Sequence, residues 1–164
     1  MGVNNVTVLN WIRTLGKSVK VYVQAHMPDD IRHVDVIEMD EMWHFTKKKR
    51  KLWIWIAIDR YTQEVLAFSI GSRGKKAFKG LIKQLKTFSV DYYASDDWKI
   101  YKDLPSKKHL IGKKHTTQIE SLNANIRHYL ARFRRKTRCY SKCPLMVEFS
   151  LFLLFFKDLY RCLF

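Results

Sequence analysis

Acidic side chains are scarce in this 164-residue chain, where 15 Asp and Glu stand against 31 Lys and Arg for a formal net charge of +16. Surface solvation does not require an excess of that size, which calls instead for a polyanionic partner. Nucleic acid fits that role, and an anionic membrane surface is the competing reading. Cysteine is rarer still. Cys139, Cys143 and Cys162 form an odd set with one close pair, which excludes a disulfide framework and a four-ligand zinc site and leaves reduced thiols. Long apolar runs are missing as well. The most apolar stretch, Met146 to Phe156, covers 11 residues and contains Glu148, so it is too short to cross a bilayer and predicts a buried helix. No basic-then-apolar signal pattern opens the chain. These absences point to a soluble cytoplasmic protein without a membrane partner.

What is plentiful is apolar and aromatic side chain, 47% and 14% of residues, enough to bury a sizeable core. Residues 4 to 15 carry one helical stripe, Val8, Leu9, Ile12 and Leu15, and Gly16 reads as its stop. That pattern suits either the second half of a helix-turn-helix or an amphipathic helix packed on the main domain. Residues 17–33 read as a linker. Three strands then follow in close succession, Asp35 to Phe45, Lys51 to Asp59 and Glu64 to Ile70, joined by connections short enough for antiparallel hairpins. Ala77, Phe78, Leu81, Ile82, Leu85 and Phe88 recur at helical spacing, and Val90 to Ser95 returns to strand. His109 to Ile111 makes a further short strand. A last long helix from Thr117 is expected to bury Ile119, Leu122, Ile126, Tyr129, Leu130 and Phe133.

Three carboxylates, Glu38, Asp40 and Glu41, sit inside the first strand. Alternation places Glu38, Asp40 and His44 on one face, and Ile37, Met39, Trp43 and Phe45 on the other. Charges in such a strand are costly to desolvate unless an arginine or a divalent metal compensates them, and Asp40 is the first candidate ligand. Asp96, just past the fourth strand, is the second, because ligands in mixed sheets collect at strand ends; it is equally placed to cap a helix beginning near Trp98. Glu120 is the third, although Thr117-Gln-Ile-Glu120 also fits a capping box. On a helical wheel Asn123, Arg127 and Arg134 share Glu120's band. The segment Arg132 to Arg138 holds five cations in seven residues, more than a helix end needs and suited to phosphate. The order of elements and acids is that of a ribonuclease-H-like α/β fold, in which three distant acids gather around two divalent metals about 3.5–4 Å apart for phosphodiester chemistry.

Three segments, Glu-Met-Asp-Glu-Met-Trp at 38–43, Ser-Asp-Asp-Trp-Lys-Ile-Tyr at 95–101 and Lys-His-Thr-Thr-Gln-Ile-Glu-Ser-Leu-Asn-Ala-Asn-Ile-Arg at 114–127, resemble the DDE transposases of the insertion-sequence-one family. Leu-Ala-Arg-Phe-Arg-Arg-Lys at 130–136 continues the likeness, which covers about residues 34 to 160. The resemblance implies Asp40, Asp96 and Glu120 as catalytic, metal-binding acids, with Asp96 preferred over Asp97, which stands where the family often has glycine. It implies DNA contact by Arg127, Arg134, Arg135 and Lys136, two Mg²⁺ ions for which Mn²⁺ substitutes, and a homodimer or larger assembly on DNA at the nucleoid. It further implies a partial helix-turn-helix over 1–16 and a ribonuclease-H-like catalytic domain over 34–164. Full-length members carry an N-terminal zinc-binding segment, and no cysteine precedes Cys139 here, so an N-terminally truncated catalytic half is expected. The implied activity is metal-dependent cleavage at transposon ends and strand transfer to target DNA. The competing expectation is a non-catalytic truncated transposase that binds DNA and represses transposition.

Overall fold

The computed structural model describes residues 2–26, 30–46, 50–134 and 141–161. Arg135, Lys136, Cys139 and Cys162 lie outside the described residues. The chain divides into two compact units, one of residues 28–140 and one formed by residues 1–27 together with 141–164.

The larger unit holds β1 (Arg32–Thr46), β2 (Arg50–Asp59), β3 (Val65–Gly71), α2 (Lys75–Leu85), β4 (Phe88–Ser95), β5 (His109–Ile111) and α3 (Thr117–Tyr129), the first helix, α1 (Asn5–Ala25), belonging to the smaller unit. The sheet order is β3-β2-β1-β4-β5. The two hairpins expected from short connections are present: β1 pairs antiparallel with β2, and β2 with β3. β4 lies parallel to β1 and β5 parallel to β4, reached by the helical crossover through α2. This is the expected ribonuclease-H-like mixed sheet. Phe88, counted with the helix by its spacing, opens β4 instead.

Each strand alternates as its sequence requires. Ile37 and Met39 of β1 and Trp55 and Ala57 of β2 are fully buried on one face, under Phe78 and Leu81 of α2. On the opposite face Met42, His44, Ile54, Ile56 and Ile58 are buried, and α3 contributes Ile119 and Ile126. The apolar stripe of α3 stops there. Tyr129, expected in the core, is 69% exposed, and Phe133 reaches its buried place from a separate 3-10 turn, Ala131–Phe133. Arg134 therefore lies beyond α3 and not on the same helical band as Glu120.

In the smaller unit α1 (Asn5–Ala25) packs with α4 (Pro144–Phe155), and α5 (Lys157–Arg161) follows. Asn4 caps α1, its side chain accepting the Val6 N–H at 3.0 Å. The apolar run of the C-terminus is buried at Val147, Phe149, Leu151 and Phe152, as expected of a core helix. Gly16 does not stop α1: the helix runs through it to Ala25, across residues that read as linker. The glycine has a packing role instead. A Cβ placed there would lie 2.5 Å from Phe149 Cβ and 3.0 Å from the Phe149 backbone, so only glycine lets the two helices approach this closely. Lys20 Nζ donates to Glu148 Oε1 at 2.9 Å beside that contact. Gly16→Val should therefore destabilise this unit by about 1–3 kcal/mol through overpacking, read as a lower urea midpoint and faster proteolysis within residues 5–25.

Candidate active site

Three acids from one strand meet three different fates. Glu38 is 1% exposed, and its compensation is complete. Arg60 Nε donates to Oε1 at 2.8 Å, while the backbone amides of Gln118 and Ile119 both donate to Oε2 at 3.0 Å. These amides belong to the first turn of α3, whose N–H groups have no partner within the helix and carry its positive dipole end. A carboxylate from β1 thus caps α3 across 80 residues of chain. Arg60 Nη2 also donates to the His115 carbonyl at 2.7 Å, tying the approach to α3 into the same knot. The capping box expected at Thr117 and Glu120 is not formed. Thr116 is the N-cap and makes no side-chain cap bond; its hydroxyl donates to the Lys113 carbonyl and, at 3.4 Å, to Glu120 Oε1.

Glu41 points to the opposite face, where Arg73 donates to Oε1 through Nε at 3.0 Å and Nη2 at 2.6 Å. The Tyr101 hydroxyl donates to Oε2 at 2.8 Å. Burial still pushes the Glu41 carboxyl above its ordinary range, opposed by the Arg73 and Tyr101 hydrogen bonds.

Asp40 has no such cation. Among the described residues no ion pair reaches it; Asn123 Nδ2 donates to its Oδ2 at 2.7 Å, and the Glu41 backbone amide adds a further hydrogen bond. Burial foremost, and then the charge of Glu41 and, less strongly, that of Asp96, push its pKa up to about 7, against an ordinary value of 3.8. The approach of Asp96 follows from the register. Glu38 pairs with Ala94 in the parallel β1–β4 ladder, so two residues further on Asp40 comes opposite Asp96, just past the end of β4. Asp96 Oδ1 accepts the Trp98 N–H at 3.1 Å, forming a turn that ends the strand before the 3-10 helix Lys99–Asp103. Asp97, the neighbouring alternative, acts on His109 rather than on Asp40.

The third acid, Glu120, is exposed on the first turn of α3, one turn before Asn123. Helix α3 thus faces Asp40 directly through Asn123 and carries Glu120 on the adjoining turn. Arg127 lies one turn beyond Asn123, and Arg134 is exposed after the 3-10 turn. His44, on the same face of β1 as Glu38 and Asp40, is buried against Phe133 with ring centroids 4.6 Å apart. Burial and the nearby Arg132 charge lower its pKa to about 4, so it is neutral near pH 7.

The donor set at Asp40 is made of oxygens, which suits a hard divalent cation rather than zinc in a thiolate cage. Asn123 Oδ1 is buried beside it without a hydrogen-bond partner. Asp40, Asp96 and Glu120 do not form a tight cluster. The one group of three such side chains whose ligand atoms all lie within 4.8 Å, among the described residues, is His33, Asp35 and Asp91, exposed at the opposite end of β1.

Residues 34–151 match the protein family described as IS1 transposase. The insertion element iso-IS1n protein InsB of Shigella dysenteriae is 38% identical over 109 residues, covering 65% of this chain and 83% of that protein. The insertion element IS1 4 protein InsB of Escherichia coli (strain K12) is 37% identical over 107 residues, 64% of each chain. Among solved structures, one similar chain is in the simian T-cell lymphotropic virus intasome in complex with PP2A regulatory subunit B56 gamma. It has a TM-score of 0.51 and 12% identity, and the likeness covers 78% of this chain and 50% of that one, a likeness of fold alone.

Two outcomes test the contrast between Glu38 and Asp40. Glu38→Gln keeps shape but loses the charge shared by Arg60 and α3. It should cost on the order of 2–3 kcal/mol, with faster amide exchange at Gln118 and Ile119. Asp40→Asn should act in the other direction. With a folded-state pKa raised to about 7 from 3.8, the acid favours the folded state fully below about pH 4, and that contribution is lost as pH rises through 7. In chelator, the Asn variant should match the parent near pH 4 and exceed it by about 2 kcal/mol at pH 8. That is less than the roughly 1.4 kcal/mol per pKa unit would give, because water reaches part of the carboxyl. Urea unfolding at the two pH values reads the difference.

Proposed function

The chain belongs to the IS1 transposase family, and from that premise we propose that it cleaves the phosphodiester at transposon ends and joins the freed strand to target DNA, using divalent metal held by Asp40, Asp96 and Glu120. One observation carries the reading. Of three acids in the middle of an apolar strand, Asp40 alone has no arginine ion pair among the described residues, and the side chain that comes opposite it is another acid. Like charges kept together without a cation are unfavourable, and a hard divalent ion is the group that would offset them. Mg²⁺ is the expected ion, with Mn²⁺ able to replace it.

When bound, a pair of such ions would activate the attacking oxygen and stabilise the leaving one. The chain's own residues divide the remaining work. Asp40 projects from β1 and Asp96 from the turn just past the parallel strand β4, and Glu120 closes the site from α3. Asn123 holds the Asp40 carboxyl in one orientation. Arg127 and Arg134, with Arg135 and Lys136 beyond the described residues, contact phosphates and orient the strand. In the first displacement a water oxygen bonds to phosphorus as the bond to the 3′-oxygen breaks, releasing a 3′-hydroxyl. In the second, that hydroxyl attacks a target phosphodiester, so one phosphorus–oxygen bond replaces another. Both ends must be joined in one event, which calls for a homodimer or larger assembly on DNA at the nucleoid. No helix among the described residues is long and apolar enough to cross a membrane. The three acids lie in the unit of residues 28–140 and inside the 34–164 span expected for the catalytic domain.

The test is strand transfer of labelled transposon-end DNA into plasmid with Mg²⁺ or Mn²⁺. Joining by the parent should fall at least about a hundredfold in Asp40→Ala, a loss of roughly 2.7 kcal/mol in barrier stabilisation, with DNA affinity retained. Salt-sensitive DNA binding by both proteins with joining by neither would instead identify a DNA-binding, non-catalytic transposase.

A further inference from the structure

Arg73 occupies a position that charge compensation alone does not explain. Its guanidinium lies between two indoles, with Cζ 4.1 Å from the Trp98 ring centroid and 4.6 Å from that of Trp53. Within the same plane it donates two hydrogen bonds to Glu41, whose side chain is 2% exposed, although the side chain of Arg73 itself is 42% exposed. Its backbone is fixed as well: Trp55 Nε1 donates to the carbonyl of the preceding residue, Ser72, at 3.1 Å. Lysine would neutralise Glu41 equally well but has no planar face to stack and no fork of donors.

Both ends of this contact lead to the proposed ligands. Glu41 adjoins Asp40 on β1. Trp98 is two residues past Asp96, and its backbone N–H is the donor that holds Asp96 Oδ1. Trp98 also stacks on Trp55 at 5.4 Å and meets Tyr101 edge-on, and Tyr101 returns to Glu41 through its hydroxyl. The β1–β4 ladder ends at Ala94, two residues short of Asp96, so side-chain contacts add to the register in setting its distance from Asp40.

We infer that Arg73 is a positioning residue for Asp96: joined to Glu41 and stacked on Trp98, it fixes the turn bearing the second acid against the strand bearing the first. The inference rests on Asp40 and Asp96 being metal ligands. Groups that orient ligands typically change metal affinity by about 10–100-fold when altered. A purely neutralising role would be filled by lysine without loss.

Calorimetric titration of the full chain with Mn²⁺, alongside metal-free thermal unfolding, separates the cases. The parent should bind Mn²⁺, and D96N should not. R73K and Trp98→Leu should each bind about tenfold more weakly while still unfolding in one cooperative transition, Trp98→Leu at a lower midpoint because it also loses packing on Trp55 and Tyr101. The double variant should bind with less than the product of the two losses, since the Arg73–Trp98 contact is common to both. R73K and Trp98→Leu binding as tightly as the parent would overturn the positioning role and leave the metal site standing. If R73K does not fold, Trp98→Leu decides, because it leaves the Glu41–Arg73 pair in place. A parent that binds no Mn²⁺, or binds it as tightly in D96N, would remove the metal-site reading and the inference together.

Discussion

The buried carboxylate of Glu38 is the contact on which the active-site geometry depends. It takes the free amides of α3 and the guanidinium of Arg60 at once, so a strand, a helix start and a hairpin residue are held at one point. Removing such a charge from water is unfavourable by itself. Here it meets a charge-assisted hydrogen bond and a helix N-terminus, the two partners that best compensate a carboxylate. Because α3 is anchored there, its next turn delivers Asn123 to Asp40, and Glu120 lies between these two contacts along the helix. The position of the third proposed acid therefore follows from a residue outside the proposed ligand set.

The same strand shows how electrostatics separates the compensated acids from the proposed ligand. Glu38 and Glu41 each have an arginine and at least one further donor, on opposite faces of the sheet. Asp40, between them, is met among the described residues by an amide side chain and a backbone N–H and by no cation. Burial foremost, and then the charges of Glu41 and Asp96, hold its pKa up at about 7. A divalent cation would reverse that balance by supplying the missing charge. The wider excess of Lys and Arg answers a different demand, attraction of a polyanion over distances that a pairwise ion contact does not cover.

Much of this was legible in the sequence where the signal is local. Alternation in β1, the short connections on either side of β2 and the 3.6-residue period of α2 give the sheet and its crossover, and the even positions of β1 place Glu38, Asp40 and His44 together. The position of Asp96 just past the end of β4 was legible as well. What escaped is set by residues distant in the chain. Gly16 reads as a stop until Phe149 is seen against it, and α1 then continues to Ala25. Thr117 to Glu120 reads as a capping box because the real cap, Glu38, comes from 80 residues away. Arg73, between Gly71 and Gly74, carries no periodic signal; its two indoles and its carboxylate come from three separate elements. The basic run after Phe133 falls mostly beyond the described residues, so its reading rests on charge alone.

The most direct measurement is the anomalous difference density of Mn²⁺ in crystals of the full chain. The expected result is Mn²⁺ on the carboxylates of Asp40 and Asp96, with Glu38 still bound to the α3 amides and Arg60. Mn²⁺ at the exposed His33, Asp35 and Asp91 cluster, with none at Asp40, would contradict it.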